Sequence, residues 1–79
     1  MEYILNLLNK VKWDKRLKEK DFSVVYNDRI EDKYKEIPYT NIKRIEGTFI
    51  VIDVLGEETQ IPIHRIRGVK KQGKVIWKR

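Results

Sequence analysis

TFIVIDVLGEETQIPI, residues 48–63, is the stretch on which the reading of the fold turns. From Thr48 to Leu55 both alternating faces are largely apolar, with Phe49, Val51, Asp53 and Leu55 on one and Ile50, Ile52 and Val54 on the other. That is the pattern of a central strand covered on both sides. Gly56-Glu57-Glu58 breaks the run as a turn, and Thr59 to Ile63 resumes it as a second extended segment.

Working outward toward the C-terminus, the clearest hairpin runs from Ile66 to Lys70, turns over Lys71-Gln72-Gly73 and returns from Lys74 to Lys78. Strict alternation there places Val75 and Trp77 on one face and Lys74, Ile76 and Lys78 on the other. On the N-terminal side, Gly47 opens a turn and Glu36-Ile37-Pro38-Tyr39 forms a short extended piece. Pro38, which cannot donate to a ladder, confines that piece to a sheet edge or a strand end. Thr40 is placed to cap one helical turn through Ile42 and Ile45. Phe22 to Tyr26 is a strand, ended by the turn signal Asn27-Asp28. Asp28 to Lys35, polar apart from Ile30 and Tyr34, reads as a connecting loop. Tyr3, Ile4, Leu7, Leu8 and Val11 make one apolar stripe on a helix over residues 3–12. Trp13-Asp14 ends it, and Lys15 to Lys20 is a charged loop. No internal repeat, low-complexity tract or linker is legible. The expected fold class is α+β: a small curved antiparallel sheet or partly open barrel, with an N-terminal helix and one short helical turn, forming a single domain over residues 1–79.

A chain of 79 residues has room for one core, and Trp13 and Trp77 are its first candidates by size. The absence of cysteine removes disulfides and thiolate metal sites and argues against a small secreted scaffold. The N-terminus carries an acid at position 2, an apolar stretch interrupted by Asn6 and no small-residue cleavage site, so neither a signal peptide nor a membrane span is expected. A cytoplasmic monomer without membrane contact is expected. The formal charge of +6 and pI near 9.7 favour anionic partners. Six bases lie between Lys10 and Lys20 against Asp14 and Glu19, and seven lie between Arg65 and Arg79 with no acid among them.

Little in the chain fits a catalytic centre. His64 is the only histidine, so the two-histidine acid/base pair that opens cyclic phosphates is missing. Ser23, the only serine, lies in a strand far from His64 in sequence, and no glycine belongs to a phosphate-loop or dinucleotide fingerprint. No cofactor or metal is expected. His64 reads as a hydrogen-bonded turn residue, as an anion-binding one or, least of the three, as a catalytic one. In Asp28-Arg29, the acid can orient an arginine fork that binds phosphate in bidentate fashion, or the pair can simply tie down a loop. Bases interleaved with aromatics suit single-stranded RNA, whose backbone follows charge and whose bases stack on rings. Tyr34 and Tyr39, beside loops, are the rings expected to be free for stacking.

Several segments carry a resemblance: Leu8-Asn9-Lys10-Val11-Lys12-Trp13-Asp14, Tyr26-Asn27-Asp28-Arg29, Glu36-Ile37-Pro38-Tyr39, Ile61-Pro62-Ile63-His64-Arg65-Ile66 and Gly73-Lys74-Val75-Ile76-Trp77-Lys78-Arg79. Over nearly its whole length the chain resembles a family of small archaeal and eukaryotic domains predicted to recognise cyclic-phosphate ends of RNA. In that family the domain stands alone in archaea and is elsewhere fused to phosphodiesterases similar to RNA ligases. The resemblance marks Asn9, Trp13, Asp14, Asp28, Arg29, His64, Arg65 and Arg79 as the matching polar and aromatic set. Lys15 departs from it, since members often carry proline after the Trp-Asp pair.

The function these readings imply is an RNA-binding module for a phosphate-bearing, cyclic or open, RNA end in processing or repair. His64, Arg65 and Arg29 would hold the phosphate, and Asp14, Asp28 and Asn9 would orient them. Lys10, Lys12, Arg67, Lys74 and Arg79 would track the backbone, with Tyr34 and Tyr39 stacking on bases. The alternatives are a protein-interaction module that pairs through a sheet edge and, further off, a cyclic phosphodiesterase.

Overall fold

The computed structural model describes residues 3–78; Arg79 lies outside them. The helix α1 (Ile4–Trp13) is followed by seven strands: β1 (Phe22–Asp28), β2 (Lys33–Pro38), β3 (Ile42–Ile45), β4 (Phe49–Val54), β5 (Glu57–Pro62), β6 (Ile66–Lys71) and β7 (Lys74–Lys78). They form two antiparallel sheets, β2-β1-β6-β7 and β3-β4-β5, which do not close into a barrel. The α+β class expected from the sequence is therefore the observed one.

Helix α1 forms because Ile4, Leu7, Leu8 and Val11 recur at helical spacing, and all four are buried. Trp13 follows Val11 by two residues, about 200° further round the helix, and so faces away from that stripe. It is 79% exposed rather than part of the core. Tyr3 precedes the first helical turn and is also exposed, while Trp77 is buried as expected. Tyr39, expected to be free for stacking, is 1% exposed. Directly after Pro38 it opens a 3-10 turn (Tyr39–Asn41), and its hydroxyl donates to the Leu8 carbonyl at 2.6 Å. The ring is thus spent on joining the sheets to the helix.

Three local expectations are corrected. Residues 28–35 are not one loop: β1 continues to Asp28, only residues 29–32 turn, and Lys33–Lys35 pair in register with Tyr26–Asp28. The helical turn expected through Ile42 and Ile45 stops at Asn41, with no side-chain cap, and residues 42–45 form a strand. In β7, Val75 and Ile76 are both exposed while Trp77 is buried, because the register shifts beside Lys70 and breaks the alternation.

The strands also contain an internal repeat, contrary to the expectation of none. Ile37-Pro38, a three-residue 3-10 turn and Ile42 recur as Ile61-Pro62, the 3-10 turn Ile63–Arg65 and Ile66. Each unit is a hairpin, a 3-10 turn and a third strand: β1, β2 and β3 in one, β4, β5 and β6 in the other. Val24 faces Ile37 as Ile50 faces Ile61, and Val24 faces Val69 as Ile50 faces Ile45. Even the bulges correspond, leaving Arg67 in β6 and Lys43 in β3 unmatched. The third strands are exchanged: β3 pairs with β4 and β6 with β1.

Two turns are tight. Leu55-Gly56 and Gln72-Gly73 each place both residues at positive φ, Leu55 at +53° and Gln72 at +52°, the signature of a type I′ hairpin turn that favours Asn-Gly. For a bulky non-glycine residue such a conformation costs on the order of 1 kcal/mol.

Candidate functional site

A groove of about 660 Å³ opens between the tips of the two equivalent hairpins. The first hairpin contributes Tyr26, Asp28, Arg29, Ile30 and Lys35; the second contributes the apolar wall of Ile52, Val54 and Leu55, with Glu57 at its edge. Arg65 closes it from the 3-10 turn between β5 and β6.

The first tip is built by Asp28. Its carboxylate accepts the Ile30 amide at 2.9 Å and the Glu31 amide at 3.3 Å, and it lies 2.9 Å from Lys35 Nζ. The Lys35 ammonium, and after it the turn amides, hold the Asp28 carboxyl below the usual aspartate range. Arg29 projects from this turn and is exposed. Tyr26 is half-buried at the groove floor, and burial pushes its phenol above its ordinary pKa. Arg65 is half-buried, and its Nε is shielded from solvent with no hydrogen-bond partner. A buried guanidinium donor without an acceptor is uncommon, since burying a polar group unpaired is costly.

The structure brings together Arg65, Arg29 and Asp28 and leaves the other expected residues elsewhere. His64 neighbours Arg65 in the same 3-10 turn but is exposed and does not line the groove. Asp28 is occupied by Lys35 and the turn rather than by Arg29. Asp14 binds its neighbour Arg16, through two side-chain hydrogen bonds and the Arg16 amide. Asn9, Lys10 and Lys12 lie exposed on α1, and Arg67 and Lys74 lie exposed on the last hairpin. Tyr34 is exposed on β2, in a separate shallow depression with Lys70 and Lys78. Lys35, Tyr26, Ile30 and Leu55 were missed. Lys35 was hidden by reading its segment as loop, and the Ile-Pro repeat was the available signal that two hairpins frame one opening.

Ion pairs divide the charges unevenly. Lys33, Lys35, Lys43, Arg44 and Lys70 are tied to Asp28, Glu31, Glu36, Glu46, Asp53 or Glu58. Among the described residues, no ion pair engages Lys10, Lys12, Lys15, Lys18 or Lys20 near the helix, Arg67, Lys74 or Lys78 on the last hairpin, or the two groove arginines. Also among the described residues, no group of three or more His, Cys, Asp or Glu could hold a metal ion, and no helix is long and apolar enough to cross a membrane.

Fold and groove together define a small α+β domain of two strand-exchanged hairpin units with a cation-lined opening between them. The chain belongs to the MJ1316 RNA cyclic group end recognition domain family, whose model matches residues 1–79. It is 43% identical over 76 residues to a UPF0248 protein of Thermococcus kodakarensis, covering 94% of this chain and 88% of that one. A UPF0248 protein of Metallosphaera sedula is 39% identical over 72 residues, covering 91% and 86%, and one of Saccharolobus solfataricus is 33% identical over 79 residues, covering 96% and 95%. No solved structure matches the chain.

Proposed function

We propose that this protein binds RNA ends bearing a phosphate, cyclic or open, with Arg65 and Arg29 holding the phosphate in the groove. The observation that carries this reading is that Arg29 and Arg65 line one groove and, among the described residues, neither is engaged in an ion pair. A bound phosphate would supply their acceptor, and a charge-assisted pair is about twice as strong as a neutral one. The family's name supports an RNA end as the source of the phosphate. The unpaired lysines of the helix segment and the last hairpin would follow the backbone, and His64 would meet the strand just outside the groove.

The test is fluorescence anisotropy with one short RNA carrying a 2′,3′-cyclic phosphate, a 3′-phosphate or a 3′-hydroxyl. Phosphate ends are expected to bind more tightly than the hydroxyl. With about four phosphates contacted on a single strand, affinity falls roughly fiftyfold between 50 and 200 mM salt. Arg65→Ala is expected to weaken the phosphate-ended RNA by about tenfold or more, the equivalent of losing a hydrogen bond to a charged group at roughly 1.5–3 kcal/mol. Equal affinity for all three ends would overturn end recognition, and salt-independent binding would overturn the electrostatic part.

A further inference from the structure

Ile30 and Leu55 are respectively 95% and 99% exposed, and both line the groove, one at each hairpin tip. Leu55 is the more telling of the two. It occupies a left-handed backbone position, φ +53°, in a two-residue turn ahead of Gly56, where asparagine would satisfy the backbone better and hydrate better. The fold gains no packing from the leucine side chain. A residue that breaks local preference without an intramolecular return points to use by a ligand.

The groove narrows the ligand's chemistry. Its volume, about 660 Å³, lies within the range of roughly 300–1,000 Å³ typical of sites for small organic ligands, so a phosphate alone would leave most of it empty. Arg29, Arg65 and Lys35 face Asp28 and Glu57 there, an excess of positive charge beside an aliphatic wall of Ile52 and Val54. An anion joined to a flat ring with apolar faces satisfies both parts, and a nucleotide is such a molecule.

We propose that the groove takes the whole terminal nucleotide, with Ile30 and Leu55 closing on the faces of its base while Arg29 and Arg65 hold its phosphate. This rests on the reading that the groove receives a phosphate-bearing RNA end. Aliphatic side chains on a base make no directed hydrogen bonds, so the grip requires a base but tolerates its identity.

The experiment compares two RNAs with the same cyclic-phosphate end, one intact and one whose terminal ribose carries hydrogen in place of the base. Both are titrated with the wild-type protein, Leu55→Asn and Arg65→Ala. Removing the base is expected to weaken wild-type binding about tenfold. Leu55→Asn should weaken the intact RNA by a similar factor, leave the base-free RNA unaffected, and raise the melting temperature because the turn is relieved. That opposition of sign separates a ligand role from a structural one. If Leu55→Asn binds both RNAs as wild type does while Arg65→Ala still loses affinity, the base grip is overturned and end recognition stands. If neither RNA responds to Arg65→Ala, both proposals fall.

Discussion

Tyr39 shows how one hydroxyl can decide a residue's office. Its ring joins the core and its OH reaches the Leu8 carbonyl of the helix at 2.6 Å, so Tyr39→Phe is expected to cost about 1 kcal/mol by urea denaturation at neutral pH. Burial raises the Tyr39 phenol's pKa well above the ordinary tyrosine value. The folded state thus favours the neutral phenol. The resulting stability is whole below the unfolded pKa of about 10 and is lost as pH rises beyond it. The gap between wild type and Tyr39→Phe should therefore narrow in denaturation runs above pH 10; a gap that widens would refute the assignment. Trp13 is the converse case, since size alone marked it for the core. Its phase on the helix, two residues beyond Val11, was the better guide. Aromatic count says how much ring a domain owns and nothing of where each ring points.

At the scale of elements, what was legible in the sequence follows period and burial. Residues 48–55 are apolar on both faces, and β4 lies in the middle of its sheet; Pro38 sits at the end of β2, an edge strand, as its missing donor requires. The first hairpin escaped because its tip is held by polar contacts, which leave no hydrophobic period: Asp28 reaches the Ile30 and Glu31 amides and Lys35. Those bonds, led by Lys35, lower the Asp28 pKa in the folded state. Their contribution is present above the unfolded aspartate value of about 3.9 and is lost as pH falls through the lower, folded one. The Ile30 and Glu31 amide resonances should accordingly titrate together with a midpoint below that value, and Asp28→Asn should abolish the shared titration. A midpoint at the ordinary value would mean that the tip is not held in this way. The groove residues were half legible: the dipeptide Asp28-Arg29 and Arg65 stood out as charges, whereas Leu55 and Ile30 looked like ordinary apolar residues until their exposure was known.

For the whole molecule, the exchanged third strands matter most. Among the described residues β3 has only β4 as a strand neighbour, and β4 belongs to the other unit, while β6 leans on β1. Neither unit can complete a three-stranded sheet from its own segments. A nick within residues 46–48, between β3 and β4, should therefore yield pieces that are largely unfolded apart and regain sheet structure on mixing, as circular dichroism would report. A piece that folds alone would contradict the interdependence. The repeat behind this arrangement was hard to see because few positions keep their identities (Ile-Pro, a following isoleucine, and Val25 with Val51), while other core positions exchange one apolar residue for another, as Val24 and Ile50 do. The same connection has another consequence. If residues 46–48 were cut short enough to forbid the return from β3 to β4 within one chain, each molecule would offer its third strands to a second copy, and a domain-swapped dimer with unchanged pairing would form.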